Sequence, residues 1–384
     1  MKYFLKVSLL ACANVLFLLL IFEAISRYFV NFQFYPSARI ERTESLSKFA
    51  NFRPKYLESL DQKTFNYSSN PDESLKFPEN YFKAIRQDSK VYTVPSPNQL
   101  ARSIVKTQSG EIVYDVTYSI DKNSRRTVTG NNRKNDNFLM LLGGSMVYGE
   151  GLDDRDTLPQ QLADRLPKTN VYNLGFHGFG VNSILYELQE IKDHPRYQNL
   201  YGTNGTAIFY LFDDHLFRFF GSTVLYRRNW GYYQPLFDYS KNNQFIFKGI
   251  PKYDLPVRTF FYDLVARSQL THTIGFNLPF IGHHEIDIYA KALLQIQSIL
   301  KRRFHVNRFI VVSSYRNELL ITQTILQRLQ ELGVETRDYS TLNIFQILKG
   351  NQFIPHDGHP SALSNKFKAD LFVADILEQP NPPK

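Results

Sequence analysis

Phe138-Leu-Met-Leu-Leu-Gly-Gly-Ser-Met-Val-Tyr-Gly149 is the stretch on which the fold turns. Five apolar residues run into Gly143 and Gly144, and then comes Ser145. A short continuous apolar run bounded by glycine fits a strand buried on both faces, as in a parallel sheet. Downstream, Asp156-Thr-Leu-Pro159 predicts a helix start, with Asp156 or Thr157 as the cap and Pro159 in the first turn. Ser145 then stands at the carboxyl end of a central strand, the edge at which open α/β sheets bind ligands.

The same rhythm repeats towards higher numbers. Residues 171–174 read as a short strand, followed by the glycine-rich turn Gly175-Phe-His-Gly-Phe-Gly180. A helix through Ile184, Leu185, Leu188 and Ile191 follows, with Asn182 as its expected cap. Residues 206–212 form another apolar strand that ends in Asp213-Asp-His215. Residues 309–312 make a further strand, 319–332 an amphipathic helix stopped by Gly333, and 334–339 a last strand. Leu363, Phe367, Leu371 and Ala374 space a final helix. Alternating strands and helices imply a mostly parallel sheet with helices on both faces, over residues 137–384. Residues 216–290 break the rhythm, are dense in Phe, Tyr and Arg, and hold Trp230. They read as an insertion beside the site, either a substrate-shaping cap or an extra packing layer.

Towards lower numbers the pattern weakens. Residues 111–120 alternate and are rich in β-branched and aromatic side chains, which predicts a strand, with a turn at 121–124 and a second strand from Arg125. Residues 30 to about 100 are polar and interrupted by Pro36, Pro54, Pro71, Pro78, Pro95 and Pro97, so 30–136 reads as a stalk and a small β segment. Residues 7–22 carry no charge, and with their apolar flanks they make a stretch of roughly 20 residues, enough for a helix to span a bilayer. Lys2 and Lys6 precede it, which predicts a cytoplasmic N-terminus and an exported body. No good small-x-small cleavage site follows the run. Cleavage before Cys12, in Leu9-Leu-Ala-Cys12, would leave an unexplained apolar segment behind it. An uncleaved transmembrane anchor over residues 1–29 is therefore expected, with the remainder extracytoplasmic.

Composition excludes more than it assigns. Cys12 is the sole cysteine among 384 residues, so an intrachain disulfide and a cysteine-based zinc site are ruled out. Lys+Arg 45 against Asp+Glu 36 gives a net charge of +9. The basic residues are scattered, and the pairs at Arg125-Arg126 and Arg227-Arg228 read as solvated surface charge. No nucleic-acid motif occurs.

Chemistry enters with Pro355-His-Asp-Gly-His-Pro-Ser361. In an extended segment side chains two apart point the same way, so Asp357 can hold the His359 imidazole in one tautomer. If this loop reaches Ser145, the three make a nucleophile, a base and an orienter. Pro360 would then open the closing helix at its first position. Asp213, Asp214, His215, His356, Asp357 and His359 have the donor types of a metal hydrolase, but no ligand-spacing motif occurs and a metal would leave Ser145 without a role. Neither metal nor cofactor is expected.

The ordered set resembles the SGNH (GDSL-like) hydrolase family over roughly residues 137–377, and within it the membrane-anchored bacterial type. The first block stands as Gly143-Gly144-Ser145 and continues through Met-Val-Tyr-Gly-Glu-Gly-Leu-Asp-Asp-Arg-Asp-Thr-Leu-Pro. The second stands as Asn173-Leu-Gly175-Phe-His-Gly178, and the last as Asp357 and His359. The resemblance implies a flavodoxin-like three-layer α/β/α sandwich that cleaves or transfers acyl esters. It implies Ser145 as nucleophile, His359 as general base and acid, Asp357 as orienter, and the backbone N–H groups of Ser145 and Gly178 as the oxyanion hole. Two positions depart from the family. Gly144 replaces an Asp. In the third block, Asp213 stands where the family has an Asn that donates to the oxyanion, and an ionised Asp213 would repel one. His215 supplies that donor, or Asp213 is protonated, or two backbone donors suffice, or the site is altered. The expected function is a serine-dependent esterase or O-acyltransferase acting on an acylated envelope polysaccharide or lipid. Its expected partner is the cytoplasmic membrane, through the N-terminal helix, with no nucleic acid. The alternative is a catalytically altered envelope protein that binds a glycan.

Overall fold

The computed structural model describes residues 81–84, 93–107, 109–191, 193–314 and 321–377, so the expected anchor over residues 1–29 and most of the expected stalk lie outside the described residues. The chain begins with β1 (Phe82–Ala84), β2 (Thr93–Pro95), β3 (Gln99–Lys106) and β4 (Ile112–Ile120). It continues through β5 (Asn137–Gly143), α1 (Ser145–Tyr148), α2 (Leu158–Arg165), β6 (Thr169–Gly175), α3 (Val181–Gln189) and β7 (Asn204–Tyr210). Then come α4 (Asp214–Phe220), α5 (Thr223–Arg227), β8 (Leu236–Tyr239), β9 (Phe245–Gly249), α6 (Pro251–Asp254), α7 (Pro256–Arg267) and α8 (Gln269–Thr273). The last elements are α9 (His283–Phe304), β10 (Val306–Ser313), α10 (Ile321–Glu331), β11 (Glu335–Asp338), α11 (Ile344–Ile347) and α12 (Ala362–Phe372).

Strands β5, β6, β7, β10 and β11 pair in parallel as one sheet in the order β11-β10-β7-β5-β6. Counted along the chain this is 2-1-3-4-5, the flavodoxin-like doubly wound order, with its switch point at β5. The apolar run of β5 explains the layering. Phe138, Met140 and Leu142 enter one buried cluster, and Leu139 and Leu141 the other, as the two-residue period of a strand requires. Helices α3, α9 and α10 cover the first face with stripes such as Leu185-Leu188, Ile296-Leu300 and Ile325-Leu329. Helices α2, α11 and α12 cover the second through Leu162, Ile347, Phe367 and Leu371.

Several local expectations are corrected. The strand at 112–120 pairs antiparallel with β3, which begins where the expected stalk ends, near residue 100. The inward positions of β3 are Ala101, Ser103 and Val105, too small and too polar to give a strong alternating signal. The second strand expected from Arg125 is reduced to single bridges of Arg126 with Ile120 and Asn173. Arg125 and Arg126 are also not surface charge: they are 6% and 1% exposed, because backbone carbonyls and carboxylates surround both guanidinium groups. Of the two candidate caps, Thr157 holds α2, accepting the Gln160 N–H at 3.3 Å, and Pro159 lies in the first turn. Helix α3 starts on Gly180 and not on Asn182, whose side chain instead donates to Gln234 and to the Pro235 carbonyl. Ser361 caps α12, so Pro360 lies one residue outside the helix. Past Phe372 the helix widens into a π turn at Val373–Leu377.

The insertion is shorter than expected, because α4 and α9 run through both expected limits and leave residues 221–282 as the added part. The packing-layer reading is the one that contacts describe. Phe237 and Phe245 of the β8–β9 hairpin join the main core, while Gln234 reaches the loop after β6. Helix α7 leaves Val257, Phe260, Phe261 and Leu264 exposed. Among the described residues no helix is long and apolar enough to cross a membrane.

Candidate active site

Ser145 opens α1 directly after β5, with Gly144 as the residue before the helix. His359 arrives on the loop between α11 and α12. That loop is bent and not extended: the Ile354 N–H donates to the His359 carbonyl and the Asp357 N–H to the Ile354 carbonyl, both at 3.0 Å, and Phe353 bridges Pro360. Asp357 and His359 meet through an Asx turn and not through the strand period. Oδ1 of Asp357 accepts the His359 backbone N–H at 2.7 Å and lies 2.6 Å from His359 Nδ1. His359 Nε2 lies 2.8 Å from Ser145 Oγ. With the proton on Nδ1, facing the carboxylate, Nε2 accepts from the serine hydroxyl.

A second hydrogen-bonded chain stands against the first. Glu150 Oε2 lies 3.6 Å from His359 Nε2 and 2.7 Å from His177 Nδ1. His177 Nε2 is 3.0 Å from Tyr81 Oη, and the Tyr81 and Tyr148 hydroxyls bond to each other. Burial penalises the Glu150 charge, but the His177 and His359 imidazoles, the hydrogen bond from His177 and Arg218 outweigh it and hold the carboxyl at about 2. The sequence reading passed over Glu150 and His177. Their signal was a single charged or aromatic-polar residue inside each of two glycine-rich turns at neighbouring strand ends.

The oxyanion candidates separate. Gly178 lies in the turn after β6 with φ +70°, a conformation that favours glycine, and its carbonyl accepts from Gln234 Nε2 at 3.2 Å. A Cβ on Gly144 would sit 3.0 Å from the Phe179 carbonyl oxygen, 3.1 Å from Arg218 Nη1 and 3.3 Å from His215 Nε2. The space that an Asp would need is therefore filled by Arg218 and His215, and Arg218 Nη1 donates to the Phe179 carbonyl at 2.7 Å. Burial, and then Arg218, push the His215 imidazole well below its usual range, so it is neutral. Its Nδ1 is buried with no partner. Asp213 turns elsewhere: its carboxyl accepts from the Thr322 hydroxyl of α10. Burial, and then Asp214, raise it to about 7. Asp214 pairs with Arg228 at 2.8 Å. Among the described residues no group of three His, Cys, Asp or Glu side chains is placed to hold a metal ion.

The β3–β4 hairpin supports both site loops. Val105 and Tyr114 pack with Leu152, from the loop after Ser145, and with Ile354, from the His359 loop. The Gly151 N–H donates to Tyr118 Oη at 3.0 Å. Arg126 donates to the Tyr148, Gly149 and Leu152 carbonyls and pairs with Asp154 at 2.8 Å, which clamps the segment that carries Glu150. On the far side, Trp230 of the insertion lies 5.4 Å over the Arg218 guanidinium.

No protein-family model matches the chain, and no curated protein does. Among solved structures, the chain is similar to a member of the lipolytic G-D-S-L family from Veillonella parvula DSM 2008, at 10% identity and TM-score 0.37, over 63% of this chain and 99% of that one. It is also similar to an acetyl xylan esterase from the rumen bacterium Butyrivibrio proteoclasticus, at 11% identity and TM-score 0.34, over 74% and 72%. A third similar structure is a gut microbial diltiazem-metabolizing enzyme, at 15% identity and TM-score 0.32, over 63% of this chain and 47% of that one. The functional reading rests on the geometry of the site itself.

Proposed function

We propose that this chain is a serine-dependent acyl-ester hydrolase or O-acyltransferase of the SGNH type, anchored by residues 1–29 with its body outside the cytoplasmic membrane. Its substrate is an acyl ester on an envelope polysaccharide or lipid. The observation that carries the reading is the series Asp357–His359–Ser145, with contacts of 2.6 and 2.8 Å. Ser145 Oγ attacks the ester carbonyl as its proton passes to His359 Nε2, and Asp357 stabilises the imidazolium that forms. Backbone N–H groups of Ser145 and Gly178 take the charge on the carbonyl oxygen. His215 is the third donor in this reading, since its ring nitrogen lies beside Gly144 while Asp213 is held by Thr322. The tetrahedral intermediate collapses as His359 returns its proton to the leaving alcohol. Water or a sugar hydroxyl then attacks the acyl-serine, with His359 again as base.

The test compares wild type with Ser145→Ala and His359→Ala on acetyl and longer p-nitrophenyl esters, alongside labelling by a fluorophosphonate. Turnover is expected to fall by at least about a thousandfold in each variant. Labelling is expected at Ser145. Equal turnover by all three proteins, with no labelling of folded wild type, would favour the glycan-binding alternative.

A further inference from the structure

Helix α7 turns its apolar side outward. Val257, Phe260, Phe261 and Leu264 are 69%, 64%, 56% and 59% exposed. At 3.6 residues per turn they fall within an arc of about 100°, the width of stripe that a helix normally presents to a core. The positions turned towards the body are instead polar or small. The Arg258 guanidinium donates to the Phe220 and Gly221 carbonyls, the Thr259 hydroxyl donates to the Pro251 carbonyl, and Ala266 is buried. Among the described residues thirteen large apolar side chains are exposed, and ten of them lie within residues 221–282, Ile274 and Phe280 included. The exposed apolar surface therefore belongs to the insertion and not to the surface at large. Gathered in this way, such surface marks a docking face.

The charge around the stripe selects its occupant. Residues 251–284 carry Lys252, Arg258 and Arg267, and their only carboxylates are Asp254 and Asp263. Both carboxylates are engaged: Asp254 accepts the Ile250 N–H at 2.8 Å, and Asp263 pairs with Arg267 at 2.6 Å. Lys252 lies over the Tyr233 and Tyr253 rings, a mixture of cation and aromatic groups that suits a headgroup layer. A second copy docked on the same face would bring this basic rim against itself. Residues 7–22, with their apolar flanks, supply an uncharged stretch long enough to enter a bilayer. The described residues begin at Tyr81, which bonds to His177 in the turn after β6, and Gln234 of the insertion bonds to Gly178 in the same turn. The segment that leads to residues 7–22 and the insertion thus adjoin one edge of the sheet. We propose that the exposed face of α7 lies in the interface of a bilayer, with its apolar side chains among the acyl chains and its cations at anionic headgroups. The choice of a membrane as occupant rests on the anchored reading given above.

The full chain, reconstituted into phosphatidylcholine vesicles with or without phosphatidylglycerol, tests the proposal. Trp230→Phe removes the sole tryptophan, and Phe260→Trp then places a single indole on the stripe. Bromines on the acyl chains quench an indole that reaches them, and fluorescence is expected to fall at least about twofold against unbrominated vesicles. The control is Phe345→Trp in the same Trp230→Phe background. Phe345 is 50% exposed on α11, which covers the opposite face of the sheet, and little quenching is expected there. Phosphatidylglycerol is expected to deepen the quenching on the stripe, and added salt to reverse that gain. Phe261→Ser with Leu264→Ser, both at surface positions, is expected to bring it down to the level of the control. Retention of the chain after alkaline carbonate extraction reports separately on residues 1–29, so failure of the anchor and failure of the face give different results. Absent quenching on the stripe overturns the proposal whether or not the chain is retained, and a dimer in detergent would then assign the face to a second copy. Equal quenching at the two positions, or quenching unchanged by the two serines or by phosphatidylglycerol, would overturn it as well.

Discussion

At Ser145 the chemistry depends on what the chain places around one hydroxyl. Ser145, Asp357 and His359 were legible because each is a reactive residue at a turn that follows a recognisable strand or precedes a recognisable helix. Glu150 and His177 were not, because a charged or polar residue next to glycine reads equally well as a solvated loop until burial is known. Asp213 is the residue where sequence and structure together make a sharp statement. Burial, and then Asp214, raise its pKa from the ordinary 3.8 to about 7 in the folded protein, so between those values the folded protein holds a proton that the unfolded chain has released. Stability conferred by the neutral carboxyl is complete below about pH 4 and declines as pH rises through 7. Asp213→Asn removes this dependence. At pH 8 the variant is expected to be more stable than wild type by up to about 4 kcal/mol, and near pH 4 about equal, as read from denaturant melts at the two pH values.

Among the elements, the β3–β4 hairpin is the one whose part in the site could not be foreseen. Residues 112–120 announced a strand through their Val, Tyr and Ile content, but the partner strand has only Ala101, Ser103 and Val105 facing inward. Nothing in a pairing pattern reveals that Tyr114 and Tyr118 lie under the loops of Ser145 and His359. The Tyr118 hydroxyl gives a single-atom test. Tyr118→Phe leaves the buried Gly151 N–H without its acceptor, at an expected cost of about 1–3 kcal/mol. Chemical melts should show that loss. Ester turnover should fall as well if the hairpin holds the Glu150 loop in place. The bent loop at 353–360 teaches a related lesson: the Asp357–His359 pairing was anticipated, but the geometry behind it is an Asx turn, which a two-residue period does not describe.

For the whole molecule, the parallel sheet and its strand order follow from features that sequence displays well: continuous apolar runs, glycine turns and helical stripes spaced between them. The insertion limits were displaced because α4 and α9 are apolar and aromatic like the segment they enclose, so composition alone marks no boundary. Helix α12 buries Phe367, Leu371 and Phe372 against the sheet and follows directly on the His359 loop. A chain truncated after residue 360 keeps both Ser145 and His359, yet it is expected to lose fluorophosphonate labelling, because the hairpin contact at Ile354 is then all that docks the histidine loop. Retained labelling of such a chain would count against that account. The two residues that must meet are 214 positions apart. On the ribosome, the hydroxyl of β5 and α1 therefore emerges long before its imidazole does. On the proposed mechanism, a nascent polypeptide would display an inert alcohol, and reactivity would arrive as a single late event when the closing helix seats. Until then the growing chain would be harmless to any ester around it.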